Sequence, residues 1–162
     1  MEYPLHKPPA ATIRYFWEDF TPGWSYESGA ASISAAGIKR FAQEYDPQPY
    51  HIDDTAAKAT PFGGLIASGW HTCAIAMRLM CDGYLLESSC IGSPGLEELR
   101  WLMPVRPDDR LRLRATVLEQ TPSQTQQGRG TVKFRWDVLN QNGDVVCKMI
   151  GRQHYLRRLP AA

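Results

Sequence analysis

The stretch GWHTCAIAMRLMCD, residues 69–82, decides the fold, because the helix that it predicts is apolar on nearly every side. A helix on the surface of a domain keeps a polar face toward water, whereas a helix that is apolar all round is normally enclosed by the rest of the domain. Gly83 follows the stretch and marks its C-terminal end. The sequence therefore predicts one central, buried helix.

The chain after this helix alternates between apolar and polar residues, as β-strands do. Residues 110–117 and 132–139 show the clearest alternation, and Asn142-Gly143 predicts a tight hairpin into a further strand. Another strand is expected near residues 96–102. Together these segments predict a long antiparallel sheet.

The predicted elements make an α+β fold in which the antiparallel sheet wraps around the enclosed helix. The chain has 162 residues, the size of one ordinary domain. We expect an N-terminal tail over residues 1–12 and a single domain over residues 13–160. Two short strands are expected on either side of a turn at Pro22-Gly23.

A second, amphipathic helix is predicted upstream of the central one. Ser34 is a typical N-cap residue, and the AAGIKRFAQEY that follows has apolar residues at helical spacing. The helix is expected to end at Asp46-Pro47, because the residue before a proline disfavours the helical conformation. Asp53 is expected to cap a short helix that runs to Lys58.

The run DPQPYH, residues 46–51, carries two titratable side chains, Asp46 and His51. General acid–base catalysis needs two such groups facing one reacting centre. Pro47 and Pro49 stiffen the segment, so we expect it to lie outside regular structure and to present both side chains at little entropic cost. The spacing alone leaves a second interpretation open, in which Asp46 caps a turn and His51 is an ordinary hydrogen-bonded residue.

Small residues in FGGLIASGWHT, residues 62–72, lead into the N-terminus of the central helix. Unpaired backbone N–H groups at a helix N-terminus suit a developing negative charge. Gly69 is the best candidate donor, because a glycine lets a ligand approach the backbone closely. Tight packing of the helix on the sheet explains the same glycine equally well.

Other polar or aromatic residues are interpreted from the pattern alone as structural. His71 is expected to be a hydrogen-bonded core residue, and Trp70 and Trp101 are expected to pack. The alternating arginines near residue 112 are suited to phosphates, but such a row is usually the solvated face of a strand. The arginines concerned are Arg110, Arg112 and Arg114.

Composition excludes several classes of function. Eighteen basic and seventeen acidic residues give a net charge of +1, which argues against a nucleic-acid-binding protein. The four cysteines form no CxxC pair, so no metal site is predicted, and they fit a reducing compartment such as the cytoplasm. The N-terminal residues lack the apolar segment of a signal peptide, and polar residues interrupt the apolar stretch over 65–86, so no membrane span is expected.

The run FAQEYDPQPYHIDDTAAKATPFGGLIASGWHT, residues 41–72, resembles the signature region of the MaoC-like dehydratases, which include the (R)-specific enoyl-CoA hydratases. The run LRWLMPVRPDDRL, residues 99–111, resembles a strand and turn of the same family that usually end in proline-valine and glycine-aspartate. The hydratase motif of that family is aspartate, any residue, asparagine, proline, a bulky residue and histidine. In this chain it reads Asp46, Pro47, Gln48, Pro49, Tyr50, His51.

The resemblance implies a hot-dog fold and a homodimer, or a higher oligomer built from dimers, with the site near the subunit interface. It implies that Asp46 and His51 activate a water that adds to the β-carbon of a trans-2-enoyl thioester, with a proton delivered to the α-carbon. Gly69 would donate its N–H to the thioester carbonyl, with Ser68, Gln48 and Trp70 as further candidate substrate-binding residues. Neither a metal nor a redox cofactor is required, and CoA enters as part of the acyl-CoA substrate.

Three residues depart from the family pattern. Gln48 replaces the asparagine of the motif, and Ser68 replaces the histidine that commonly precedes the helix glycine. Met77 stands where some (R)-hydratases have an assisting serine. These changes leave Asp46 and His51 intact and leave the identity of the substrate open.

Two other functions fit the same fold. Many hot-dog thioesterases carry a carboxylate on the central helix, but residues 69–82 contain none before Asp82, at the far end of the helix, and this counts against thioester hydrolysis. A non-catalytic subunit that binds acyl thioesters is the other alternative, because the three departures bear on catalysis.

Overall fold

The computed structural model describes residues 12–158. The N-terminal tail expected over residues 1–12 therefore lies, apart from Thr12, outside the described residues, as do the last two residues of the expected domain. Four helices and six strands are numbered here in chain order. The helices are α1 (Ala35–Tyr45), α2 (Pro49–Ile52), α3 (Asp54–Lys58) and α4 (Gly69–Gly83). The strands are β1 (Ser25–Glu27), β2 (Ala31–Ser32), β3 (Cys90–Trp101), β4 (Arg110–Pro122), β5 (Arg129–Leu139) and β6 (Val145–Leu156).

The sheet is antiparallel with the order β1-β4-β5-β6-β3, and β2 also pairs with β4. One face of β4 and β5 is buried, as the alternation of apolar residues predicts, and packs against α4 in a single core. This sheet wrapped around a central helix confirms the hot-dog fold. Within residues 12–158, no helix is long and apolar enough to cross a bilayer.

The central helix α4 is less enclosed than its sequence predicts. Ile75, Leu79 and Met80 face the core and are buried, but Trp70 is 57% exposed and Met77 is 47% exposed. The expectation of a helix covered on nearly every side is therefore wrong for the single chain. The reason is geometric, because one sheet covers only one side of a helix. Trp70 and Met77 are seven positions apart, about two helical turns, so they lie together on the side of α4 that the sheet does not cover.

The helices before α4 follow their capping signals. Ser34 accepts a hydrogen bond from the N–H of Gly37 at 3.1 Å and begins α1. Asp53 accepts one from the N–H of Ala56 at 2.7 Å and begins α3. The expectation that residues 46–51 lie outside regular structure is wrong for their second half. Pro49 is the first residue of α2. Proline is tolerated at this position because the N–H that it lacks would have no acceptor within the helix.

The segment before β1 also differs from the prediction. Residues on the N-terminal side of the Pro22-Gly23 turn form a 3₁₀ turn, Trp17–Asp19, and β1 and β2 both follow the turn. Asp19 accepts a hydrogen bond from the N–H of Phe16 at 2.8 Å, and the fully buried Phe20 packs in an aromatic cluster. Packing of these aromatic rings therefore overrides the preference of aromatic residues for strands.

Strand β3 begins at Cys90, earlier than the residue near 96 expected from the sequence. Its pairing with β6 shifts register around Gly92 and Gly95, both of which have φ of +135°. Each shift interrupts the alternation of apolar and polar residues on which a strand prediction depends. The irregular first half of β3 therefore could not be recognised from periodicity.

Candidate active site

The end of α1 and the single turn of α2 bring Asp46 and His51 together. Asp46 is the C-cap residue of α1, and the chain turns back at Pro47 so that His51 lies on α2. Atom Oδ2 of Asp46 is 3.4 Å from Nε2 of His51. The two side chains singled out by sequence are thus neighbours, and both line the same cavity.

The contacts of His51 fix the tautomer of its ring. His51 is only 4% exposed, and its Nδ1 lies 2.8 Å from the backbone carbonyl oxygen of Ile66. A carbonyl can only accept a hydrogen bond, so we assign the proton of the neutral ring to Nδ1. The unprotonated Nε2 then carries a lone pair on the side of Asp46 and the cavity, where it can accept a proton.

The carboxylate of Asp46 is held at both oxygens. The hydroxyl of Ser68 donates to Oδ2 at 2.6 Å, and Nε2 of Gln48 donates to Oδ1 at 2.8 Å. The Ser68 hydrogen bond is the main cause that lowers the pKa of Asp46, the Gln48 hydrogen bond and the nearby His51 lower it further, and partial burial opposes them. Asp46 is therefore ionised at neutral pH.

Ser68 connects Asp46 to the N-terminus of α4. It is the N-cap residue of that helix, and its oxygen accepts a hydrogen bond from the N–H of Trp70 at 3.2 Å. The same hydroxyl gives its own hydrogen to Asp46. Because Ser68 is 1% exposed, water does not compete for either hydrogen bond.

Gly69 is the first residue of α4, so its N–H has no acceptor within the helix. The space beside its α-carbon is occupied, because a Cβ built there would lie 2.4 Å from the indole of Trp101. Trp101 also donates from Nε1 to the carbonyl oxygen of Gly69 at 3.0 Å. Close packing against Trp101 therefore explains why residue 69 is glycine, while its N–H stays available at the helix N-terminus.

A cavity of about 470 Å³ surrounds these groups, within the range of small-molecule sites. Its polar side contains Asp46, Gln48, Tyr50, His51, Gly69 and Thr72. Its apolar side includes Phe62, Ile66, Trp70, Trp101, Leu102, Met103 and Val105. The site therefore combines an acid–base pair, a helix N-terminus and an apolar wall.

Sequence reasoning missed part of this wall. Trp101 is the last residue of β3, and residues 102–105 follow it; all five line the cavity, as does Phe62 in the loop before α4. Trp70 packs edge-on against Trp101, with ring centroids 5.4 Å apart, so both tryptophans pack and also line the cavity. Met77 is not among the lining residues, so the substitution there does not alter this cavity of the single chain.

The other residues weighed from sequence lie elsewhere. His71 stacks on Phe41 and lines a separate cavity of about 170 Å³. His71 was expected to be a hydrogen-bonded core residue, but its buried Nδ1 has no hydrogen-bond partner among the described residues. Arg112 and Arg114 pair with Glu27 on the outer side of the sheet, as a solvated strand face does. Neither they nor Arg110 lines the cavity beside Asp46 and His51, which is the larger of these two and is called the larger cavity below.

Comparisons with known proteins agree on one family. The profile described as MaoC like domain matches residues 19–137. The uncharacterized protein YdeM of Bacillus subtilis is 33% identical over 115 residues, which are 71% of this chain and 82% of that protein.

Two solved structures are similar to this chain in fold as well as in sequence. A MaoC-like dehydratase from Rhodospirillum rubrum superposes with a TM-score of 0.84 and 42% identity, over 90% of this chain and 99% of that one. The (R)-hydratase PhaJ1 from Pseudomonas aeruginosa superposes with a TM-score of 0.69 and 25% identity, over 93% of this chain and 97% of that one.

Proposed function

This chain belongs to the MaoC-like domain family, and from that membership we propose that it reversibly hydrates a trans-2-enoyl thioester to a 3-hydroxyacyl thioester. The (R)-hydratase likeness supports hydratase or dehydratase chemistry at the level of the family. Acyl-CoA is the substrate class that we propose. The observation that carries the proposal is the 3.4 Å approach of Asp46 Oδ2 and His51 Nε2 beside the cavity.

The two atoms are suited to orient one water. Oδ2 of Asp46 and the unprotonated Nε2 of His51 both accept hydrogen bonds, so a water between them donates one hydrogen to each. Its oxygen lone pair then points away from both acceptors and toward the cavity. A water held in this way is both oriented and made more nucleophilic.

In the proposed reaction His51 takes one proton from the water and later gives one proton to the substrate. The water oxygen forms a bond to the β-carbon as one of its protons passes to Nε2 of His51. The electrons of the carbon–carbon double bond move toward the thioester carbonyl and give an enolate. The imidazolium of His51, stabilised by the ionised Asp46, then returns a proton to the α-carbon.

Gly69 supplies the group suited to the enolate oxygen. Its N–H has no acceptor within α4, and it lies at the start of that helix, where the helix dipole also favours negative charge. A donor that faces the charge formed in the transition state accelerates the reaction, because that charge is absent from the ground state. The apolar wall that includes Phe62, Trp70 and Leu102 is suited to the acyl chain.

Thioester hydrolysis on the same fold is less well supported. A hydrolase of that type needs a carboxylate on the central helix near the thioester carbon. The one carboxylate on α4 is Asp82, which lies toward the opposite end of the helix from Gly69 and pairs with Arg78 at 2.9 Å. No carboxylate on α4 is therefore placed to serve as the hydrolytic nucleophile or base.

We also propose that the chain forms a homodimer through the open side of α4 and the outer edge of β3. Trp70 and Met77 on α4 and Leu96 on β3 are exposed apolar side chains. Among the described strands, β3 pairs only with β6. Light scattering after size-exclusion chromatography should give twice the mass of one chain, or an even multiple of it.

The hydration proposal is tested with trans-2-enoyl-CoAs of short, medium and long acyl chains. Loss of the enoyl-thioester absorbance is expected for at least one of them, together with formation of the 3-hydroxyacyl-CoA. Asp46→Asn and His51→Ala should each lower turnover by about a hundredfold or more, the scale of a lost acid–base group.

Two results would overturn the hydration proposal in favour of the alternatives. Thiol release from saturated acyl-CoA that persists in Asp46→Asn would indicate a thioesterase. Binding of enoyl-CoA with unchanged absorbance over a long incubation would indicate a non-catalytic binding subunit.

A further inference from the structure

A chain of side-chain hydrogen bonds leads from Tyr50 to Asp46. The hydroxyl of Tyr50 donates to Oε1 of Gln48, and Nε2 of Gln48 donates to Oδ1 of Asp46 at 2.8 Å. All three residues line the larger cavity. Tyr50 thus reaches, through one intermediate amide, the carboxylate oxygen that does not face His51.

The direction of these hydrogen bonds follows from the chemistry of the groups. An ionised carboxylate can only accept, so the NH₂ of Gln48 must face Asp46 and its carbonyl oxygen must face Tyr50. A phenol can donate to that oxygen. The donor order Tyr50, Gln48, Asp46 is therefore the one that fits.

Tyr50 is itself held beside both members of the acid–base pair. Its ring packs edge-on against the His51 ring, with centroids 4.4 Å apart at 67°. Its backbone carbonyl accepts a hydrogen bond from the N–H of Ile66 at 3.3 Å. The carbonyl of Ile66 in turn binds Nδ1 of His51. These contacts therefore fix the position of Tyr50, and of its hydroxyl, relative to His51.

We propose that Tyr50 is a positioning residue for the hydration reaction, which acts through Gln48 to hold Oδ1 of Asp46 and thereby keep Oδ2 directed at His51 and the water. This inference rests on the proposed function. It also accounts for Gln48: the amide at this position is one methylene longer than asparagine, and the Tyr50 hydroxyl immobilises the longer side chain. Residues 48 and 50 act as a pair.

A simpler role for Tyr50 predicts a different result. If its ring and hydroxyl only formed a wall of the cavity, their loss would change substrate affinity and hence KM. A positioning residue instead changes the geometry of the reacting groups, so its loss lowers kcat. It also shifts the pH dependence, because a carboxylate that loses donated hydrogen bonds has a higher pKa.

The first variant is Tyr50→Phe, which removes the hydroxyl and keeps the ring against His51. We expect kcat to fall about fivefold, the scale of one lost hydrogen bond, with KM little changed. The acidic limb of the pH–rate profile should move to higher pH, because Asp46 would take up a proton more readily. Tyr45→Phe is the matched control, since the Tyr45 hydroxyl binds Glu44 at 2.8 Å outside this cavity, and its kcat should match the wild type.

Coupling between the two residues is measured in a double-mutant cycle with Gln48→Ala. If Tyr50 acts through Gln48, Tyr50→Phe should have almost no further effect on kcat once Gln48 is replaced. The proposal would be wrong if Tyr50→Phe lowered kcat equally in both backgrounds. It would also be wrong if KM alone changed.

A titration separates this proposal from the proposed function. The pKa of the Asp46 carboxyl, followed by ¹³C NMR without substrate, should rise in Tyr50→Phe and in Gln48→Ala and stay unchanged in Tyr45→Phe. An unchanged pKa in Tyr50→Phe would overturn the coupling even if the enzyme hydrated enoyl-CoA. If the pKa of Asp46 rose in Tyr50→Phe but the wild type hydrated no enoyl-CoA, the hydration reaction would be contradicted. The coupling of Tyr50 to Asp46 through Gln48 would still be supported.

Discussion

Two histidines, the buried His51 on α2 and the partly buried His71 on α4, have opposite surroundings. His51 donates from Nδ1 to a backbone carbonyl and turns Nε2 toward a carboxylate and the larger cavity. His71 lies flat on Phe41, with centroids 4.5 Å apart at 4°, and its Nδ1 has no partner among the described residues. Burial lowers the pKa of His71 to about 4, helped by the charge of Arg40. Burial alone therefore does not make a histidine functional, and the partners at its two nitrogens decide its role.

The same substitution at both positions gives the largest expected contrast. His51→Phe should lower hydration of enoyl-CoA by about a hundredfold or more, because it removes the group that takes the proton from water. His71→Phe should leave kcat and KM unchanged, because His71 does not line the larger cavity. Steady-state kinetics of the two variants test the contrast, and comparable losses in both would contradict it.

The stability of the protein in acid should depend on His71. Its pKa is about 4 in the folded protein and near 6.5 in the unfolded chain, so the unfolded chain binds the proton more tightly. The unfolding free energy should therefore fall as the pH decreases from about 6.5 to about 4. Urea unfolding at about pH 7 and about pH 5 measures this slope, which should be smaller in His71→Phe. Equal slopes in the two proteins would show that another group titrates.

Ser68→Ala sharpens the description of the His51 site. The substitution removes the main hydrogen bond that lowers the pKa of Asp46 and also the N-cap of α4. We expect kcat to fall about tenfold and the acidic limb of the pH–rate profile to move to higher pH. The free energy of unfolding should fall by about 1 kcal/mol.

Ser34→Ala is the matched control for this experiment. Ser34 caps α1 through the N–H of Gly37 and does not line the larger cavity. It should show a similar loss of stability with unchanged kinetics. If Ser34→Ala slowed turnover as much as Ser68→Ala, loss of a helix cap rather than loss of the Asp46 contact would explain both results.

The smallest expected effect is the stability of His71→Phe near neutral pH. The substitution keeps the ring stacked on Phe41 and removes a buried nitrogen that lacks a hydrogen bond. We expect the unfolding free energy to rise by about 1 kcal/mol. Thermal and urea unfolding measure the change. A loss of stability would mean that the imidazole makes a favourable contact that phenylalanine cannot replace.

Local signals were enough to predict the framework of the site. The N-cap at Ser34, the stop at Asp46-Pro47 and the small residues before Gly69 act over a few positions, and α1 and α4 begin and end within one residue of the prediction. The strict alternation in β4 and β5 likewise placed their buried faces. These features depend on neighbours in the chain, and a sequence displays them directly.

The contacts that complete the site depend on distant parts of the chain. The hydroxyl of Ser68 reaches Asp46 across 22 positions, and residue 101 meets Gly69 across 32. A backbone carbonyl, that of Ile66, sets the tautomer of His51, and no residue type signals such a contact. Composition likewise could not distinguish the apolar side of α4 that the sheet covers from the side carrying Trp70 and Met77.

The central claim is that Asp46 and His51 act together on one water that adds to an enoyl thioester. It is tested most directly by the product that the wild type and Asp46→Asn form from trans-2-enoyl-CoA in heavy water, identified by mass spectrometry and NMR. The wild type should give 3-hydroxyacyl-CoA with one deuterium on the α-carbon, and Asp46→Asn should form it about a hundredfold more slowly. Free CoA as the product, or equal rates in the two proteins, would contradict the claim.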